Sequence, residues 1–376
     1  MDKYLNIVSF NIPFPANYGG IIDVFYRLKT LHDNGVRIIL HCFEYQRPHS
    51  AELEDICEHV HYYKRETGII PNLSLLPYNV VSRKSDLLIE QLLTNDYPIL
   101  FESLHSCYYL SDPRLKGRLK IYRAGNIEHD YYYSLYKAES RFIDKSFFLI
   151  ESCRLANFEK NIRHADIILA ISSTDEAYFK KTYPQNKVVF IPAFHGNKQI
   201  ASKAGQSDFM LYHANLSVAE NEKAALYLIE NVFSKLNHNC IIAGMKPSAK
   251  LRDAIEPFSN ITIEANPTDE RMAFLIQEAH IHVLVTFQDT GLKLKLLNSL
   301  FAGRHIVVNP MMLAGSGLDD LCHSADSDKE IRALCDKLMS VPFTETDIEE
   351  RRNKLFPAYD DKCQAECLYK MIYGDE

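Results

Sequence analysis

Three groups of residues have the types and spacing to act on an anionic, hydroxylated substrate. The first is Gln288-Asp-Thr290-Gly291-Leu292-Lys293-Leu-Lys295-Leu-Leu-Asn298. It follows an apolar, β-branched run at 282–287 and leads into helix formers that stop at Gly303. The first N–H groups of a helix lack intrahelical partners and sit at the positive end of its dipole. A glycine there, Gly291, lets a phosphate approach the backbone. Lys293 and Lys295 add charge, and Asn298, seven positions after Gly291, lies two turns on and can face a ribose. The plain alternative is an ordinary βαβ unit with two solvated lysines. The second group is His105, at the end of an apolar strand that also holds Glu102. Open α/β sheets carry their ligands at the carboxyl ends of strands. His105 there can hydrogen-bond a hydroxyl or carry a proton, although a lone histidine is more often structural. Glu102 either orients it or lies on the opposite face. The third group is Lys246, which follows another strand and can meet a phosphate, together with the glycine pair Gly19-Gly20. Those glycines serve either close backbone approach or a tight turn with positive φ.

These groups must be held by strands and helices in alternation. Apolar runs at 5–10, 36–43 and 99–105 predict parallel strands, with a helix at 21–34 between the first two. A helical pattern runs from 134 to 164. Residues 165–171 read as a strand entering a helix capped by Ser172. The polar stretch 196–207 is the best linker, and a second βαβ series begins at 209. Gly-x-Gly-x-x-Gly is missing from the first βα turn, which disfavours a dinucleotide site. Arg114, Lys116, Arg118, Lys120 and Arg123 form a basic run: a solvated edge, or a contact for a phosphate-bearing lipid. Asp326-Ser-Asp328 opens a helix, so capping explains it better than a metal.

The stretch around Gly291 resembles the nucleotide-sugar motif of family 4 glycosyltransferases with the GT-B fold, in the bacterial polysaccharide subgroup. That motif carries two glutamates eight positions apart; here the positions hold Thr290 and Asn298. Arg123-Ala-Gly-Asn126-Ile-Glu128 resembles the family's His-Asn-x-Glu segment, with Gly125 in place of the histidine. Ala214-Asn215-Leu-Ser resembles its Gly-Asn-Leu-Ser turn. The resemblance covers nearly the whole chain. It implies an α/β fold of two Rossmann-like, doubly wound domains facing a cleft. Residues 1–195 would form the acceptor-side domain and 208–355 the nucleotide-sugar domain, with a helix at 356–376 crossing back. It implies Gly19 and Gly20 near donor phosphates or acceptor sugar, and His105 beside the transferred sugar. Glu128 would bind acceptor hydroxyls, and Asn215, Lys246, Thr290, Gly291, Leu292, Lys293 and Asn298 the donor. The implied activity is transfer of a sugar from a nucleotide diphosphate sugar to a glycan or lipid-linked saccharide, retaining and without a metal or cofactor. A non-catalytic nucleotide-sugar binder and a nucleotide-sugar epimerase on the same fold are the rivals.

Composition bounds the partners. A chain of 376 residues suits two domains. A net charge of −7 argues against nucleic acid. Nine cysteines without a Cys-x-x-Cys pair suggest reduced thiols in a cytoplasm. No apolar run reaches transmembrane length, which leaves a peripheral contact at the inner membrane face as the expected membrane role.

Overall fold

The computed structural model describes residues 3–288, 291 and 293–374. Two parallel sheets organise it. The first contains β1 (Lys3–Ser9), β2 (Val36–Glu44), β3 (His59–Lys64), β4 (Ile99–Glu102), β5 (Lys120–Arg123), β6 (Ile167–Ala170) and β7 (Lys187–Phe190), in the order β3-β2-β1-β4-β5-β6-β7. The second contains β8 (Phe209–Asn215), β9 (Asn239–Met245), β10 (Ile261–Ala265), β11 (Ile281–Leu284), β12 (His305–Val308) and β13 (His323–Ser324), in the order β10-β9-β8-β11-β12-β13. Helices cover both faces of each sheet, so the strands are apolar on both sides. Leu5, Ile7, Leu100 and Ile121 enter one core of the first sheet. Their neighbours Val8, Phe101 and Tyr122 enter the other, as the two-residue strand period requires. The chain order reverses between β1 and β4, and again between β8 and β11. Crevices open at the carboxyl ends of such reversals.

One helical expectation changes. The pattern at 134–164 is not one helix but Glu128–Ala138 and Phe142–Phe158, followed by a 3-10 turn at Glu159–His164. The carboxylate of Glu139 accepts the N–H groups of Ser140 and Arg141, each at 2.9 Å, and this local bonding displaces the helical ladder. At the C-terminus the helix Glu345–Tyr359 is followed by Asp361–Tyr373, where a helix is expected. The second packs on the helix Gly19–Asp33, burying Ala365 and Leu368 in the first sheet's core. Between the sheets, Gly196 N donates to Asp361 Oδ2 (2.7 Å) and Ala201 N to Phe301 O (2.7 Å). Gly205 pairs antiparallel with Phe343. Among the described residues no helix is long and apolar enough to cross a membrane.

Candidate functional site

The first sheet supplies one wall of a cleft. Ser103 follows β4 with φ +63, a left-handed conformation rare outside glycine. Its hydroxyl accepts from His105 N (3.4 Å) and donates to Glu128 Oε1 (2.8 Å). Glu128 opens its helix after β5. His105 Nε2 lies 3.6 Å from Glu128 Oε2, too far for a hydrogen bond, and among the described residues this buried nitrogen has no partner. The rings of Phe10 and Tyr132 box the imidazole edge-on, at 6.4 and 6.0 Å between centroids. Burial, then the charges of Arg83 and Arg65, hold His105 well below its usual range, so it is neutral. Burial pushes Glu128 up to about 7 despite the Ser103 hydrogen bond. The pair therefore combines a neutral imidazole with a carboxyl poised near neutrality, a setting suited to moving a proton or gripping a hydroxyl. Glu102 does not orient His105. It points to the opposite face and binds Arg27.

The second sheet supplies the facing wall. Thr290 and Leu292 lie outside the described residues. The helix begins at Leu294, so Lys293 stands at its N-cap rather than in its first turn, with Nζ on Gly291 O at 3.0 Å. Lys295 is not a solvated lysine. It packs over the Tyr212 ring at 5.3 Å and donates to Asn221 Oδ1 at 3.1 Å. Asn298 Oδ1 accepts from Asn197 Nδ2 (3.1 Å), turning its amide oxygen toward the segment that joins the sheets. The next residue, Ser299, contacts His213 Nε2 (3.0 Å) and His282 Nδ1 (3.2 Å) through its Oγ, which ties the helix to β8 and β11. Asn215 Oδ1 holds Ser217 N (3.1 Å) and Oγ (2.7 Å), an Asx turn at the exit of β8. Lys246 ends β9's loop exposed, in the left-handed region at φ +51, with its N–H on Asn266 Oδ1 (2.7 Å). Gly19 and Gly20 start a helix and neither has positive φ, which removes the tight-turn alternative. A Cβ on Gly19 would lie 3.7 Å from Leu294 Cδ1 of the facing wall.

The walls meet at Gly291. Its φ is +66, and a Cβ there would stand 2.3 Å from Asn126 Oδ1 and 3.1 Å from Gly125 O. Backbone and space both demand glycine. Sequence reading missed two carboxylates at this junction. Asp175, read only within an N-cap pattern, is buried, and burial pushes it up to about 6 against the pull of Ser172, Lys293 and the Gly291 N–H. Glu220 accepts from Thr286 Oγ1 (2.5 Å) and Phe287 N (3.2 Å), fixing the loop after β11. The acid-rich first turn at 219–222 was the available signal, but its partner sits 66 positions away.

The basic run is mostly structural. Arg123 is buried against Asp23, Arg118 donates to the carbonyls of Tyr97 and Leu92, and Lys120 Nζ to Leu110 O (3.0 Å). Lys116, Arg118 and Lys120 line a cavity of about 610 Å³ shared with Asp112 and Asp166. It lies at the amino end of β5, away from the cleft. Ser327 and Glu330 form a reciprocal capping box at the Asp326-Ser-Asp328 helix start.

No family model matches the chain. An uncharacterized 44.6 kDa protein in the cps region of Klebsiella pneumoniae is 25% identical over 333 residues, 83% of this chain and 84% of that one. Sucrose-phosphate synthase from Thermosynechococcus elongatus superposes with a TM-score of 0.71 at 13% identity, covering 98% of each chain. TarM of S. aureus, solved as a G117R mutant with fondaparinux, alpha-GlcNAc-glycerol and UDP, superposes at 0.69 with 10% identity, covering 99% of this chain and 100% of that one. The fold is therefore GT-B: two Rossmann-like domains with their strand ends facing one cleft.

Proposed function

We propose that this chain transfers a sugar from a nucleotide diphosphate sugar to a hydroxyl of a glycan or lipid-linked saccharide, with retention and without a metal ion. One observation carries the reading: the Gly291 turn, at the second sheet's reversal, closes on Gly125 and Asn126 beside Glu128 and His105. A donor diphosphate against Lys293 and Gly291 then has its sugar facing His105. The UDP bound by TarM, a protein of this fold, supports the donor class. In the reaction the acceptor oxygen forms a bond to the anomeric carbon. The nucleoside diphosphate leaves with the electron pair, and the hydroxyl proton is released. Positioning, and stabilisation of the leaving diphosphate by Lys293, Lys246 and backbone N–H groups, do most of the work. Glu128 and His105 hold the reacting hydroxyls, and Asn298 stands where a glutamate holds the ribose in the family it resembles.

A peripheral contact with the inner membrane face belongs to the same reading. Ile70 and Leu75 are 85% and 92% exposed, and Phe142 is 83% exposed. Arg154 Nη2 on Asn72 O (3.1 Å) joins the helix that starts at Phe142 to the segment of Ile70. Exposed apolar side chains of this kind support a lipid surface. Vesicle flotation that is unchanged in Ile70→Glu/Leu75→Glu would remove the contact.

The reaction is tested by incubating the protein with a panel of nucleotide sugars and saccharide acceptors and weighing the products. Transfer adds one sugar mass to an acceptor and releases a nucleoside diphosphate. An epimerase leaves every mass unchanged. A donor bound but never consumed is the non-catalytic reading, which the replacement of both motif glutamates by Thr290 and Asn298 favours.

A further inference from the structure

We propose that Arg65 and Arg83 form an anion subsite on the acceptor side of the cleft, and that the acceptor carries a phosphate or carboxylate group there. This rests on the function proposed above. Both guanidinium groups are buried. Arg83 donates through Nε to Phe10 O (2.7 Å) and through Nη1 to Asn79 O. Arg65 donates through Nε to Ser82 Oγ (3.0 Å) and through Nη2 to Asn79 Oδ1 (2.9 Å). One asparagine thus holds two like charges together. Among the described residues neither arginine has a carboxylate within ion-pair distance, and Arg83 Nη2 and Arg65 Nη1 make no hydrogen bond. Arg47 adds a third cation over the Tyr18 ring at 5.5 Å, held by Phe14 O (3.2 Å) and Asn17 Oδ1 (3.0 Å), again without a carboxylate among the described residues.

Buried cations without counter-ions are costly, and two side by side more so. The other buried arginines of this domain do not stand so: Arg27 and Arg123 each meet carboxylates. Arg351, which also lacks one among the described residues, is spent on the carbonyls of Leu300, Gly303 and Arg304 and on Ser202 Oγ. An oxyanion with two or three oxygens matches the free ends of paired guanidinium forks. The subsite adjoins the reacting groups. Phe10, whose carbonyl holds Arg83, presents its ring to His105. Asn79 Nδ2 donates at 2.6 Å to the hydroxyl of Tyr132, whose ring also flanks His105. Gly291 and Lys293, where the donor diphosphate is placed, stand on the facing wall, so an anion on the two arginines belongs to the acceptor rather than the donor. Tyr45, 4.3 Å from the Arg65 guanidinium, offers a ring against which a sugar can stack.

The test titrates inorganic phosphate, glucuronate and, as a neutral control, glucose into the parent, Arg83→Gln, Arg65→Gln and Lys293→Ala, by calorimetry in an anion-poor buffer. The expected result is binding of at least one of the two anions that survives Lys293→Ala and weakens tenfold or more in Arg83→Gln. Phosphate alone indicates a phosphate-linked acceptor, glucuronate alone an acidic sugar, and both a general oxyanion subsite. Anion binding lost in Lys293→Ala but kept in both arginine variants would assign the anion to the donor side and overturn the proposal. So would no binding of either anion to the parent. Arg65→Gln keeps the test open if Arg83→Gln does not fold. A parent that binds anions through Arg83 yet binds no nucleoside diphosphate would refute the proposed function and leave the subsite standing.

Discussion

The first domain buries two sets of arginines, and it treats them in opposite ways. Arg27 and Arg123 lie beneath the sheet with Asp23 and Glu102. Arg27 Nη1 meets Asp23 Oδ2 at 2.9 Å, and Arg123 Nε meets the same oxygen at 3.1 Å. Asp23 Oδ1 takes Phe194 N at 2.8 Å as well. Burial alone would raise Asp23, but Arg123 and Arg27 outweigh it and hold the carboxyl at about 2. Charge is balanced and the bonds are complete, so this group fixes the start of the first helix and the exit of β7 to the sheet. Arg65 and Arg83 sit at the cleft with no such balance, and burial followed by Arg65 lowers Arg83 to about 9. Balanced buried charge reads as architecture. Unbalanced buried charge at a cleft reads as a site awaiting an anion.

The largest expected effect breaks the balanced set. Arg27→Gln leaves Asp23 and Glu102 short of a cation and should cost about 3–5 kcal/mol of stability. Urea unfolding measures it, and a loss under about 1 kcal/mol would erase the contrast. Next is His105→Ala, which keeps the fold but should lower turnover about 100-fold with little change in donor affinity. Single-turnover kinetics with a saturating donor checks this, and unchanged turnover removes His105 from the site.

A smaller effect sharpens the contrast between carboxylates. Glu128 titrates at about 7 in the folded chain against an ordinary value of 4.5. Between these values the unfolded chain has lost the proton and the folded chain keeps it, so stability falls as pH rises through this window. Glu128→Gln removes that fall. Relative to the parent, its stability should improve by on the order of 2 kcal/mol from about pH 5 to pH 8. A pH-independent difference contradicts the raised value. Asp23 behaves in the opposite sense: its contribution is present above its ordinary 3.8 and is lost as pH falls toward about 2. The smallest effect belongs to Arg83→Gln in the free protein. Relief of like-charge repulsion offsets lost hydrogen bonds, so unfolding should shift by less than about 1 kcal/mol. A loss as large as that of Arg27→Gln would make Arg83 architectural.

Much of this was legible in the sequence, for reasons visible in single residues. Strand runs and glycine punctuation gave the alternation of both sheets, and Gly291 announced a turn that only glycine can make. The resemblance of 123–128 to the family's His-Asn-x-Glu segment pointed to Glu128. What stayed hidden depends on distant partners. Arg123 looked like one member of a basic run because Asp23, its partner, lies 100 positions away. Glu102 could orient His105 or lie on the opposite face, and the choice waited on Arg27, its partner 75 positions off. Asp175 satisfied a capping pattern, which concealed that its carboxylate faces Lys293 from the other domain. Lys295 and Lys293 are two positions apart in one motif, yet one is stacked on Tyr212 and the other reaches Gly291 O.

The central claim is that the Gly291 turn and Lys293 hold a nucleoside diphosphate. Calorimetric titration of UDP and GDP into the parent and Lys293→Ala tests it most directly, beside melting of both proteins without ligand. A charge-assisted contact of this kind contributes about 1.5–3 kcal/mol, so the variant should bind roughly ten- to a hundredfold more weakly. Its melting without ligand should be unchanged or slightly higher, since a lysine at a helix N-terminus opposes the dipole. Equal binding by parent and variant, or binding of neither nucleotide to the parent, would contradict the account.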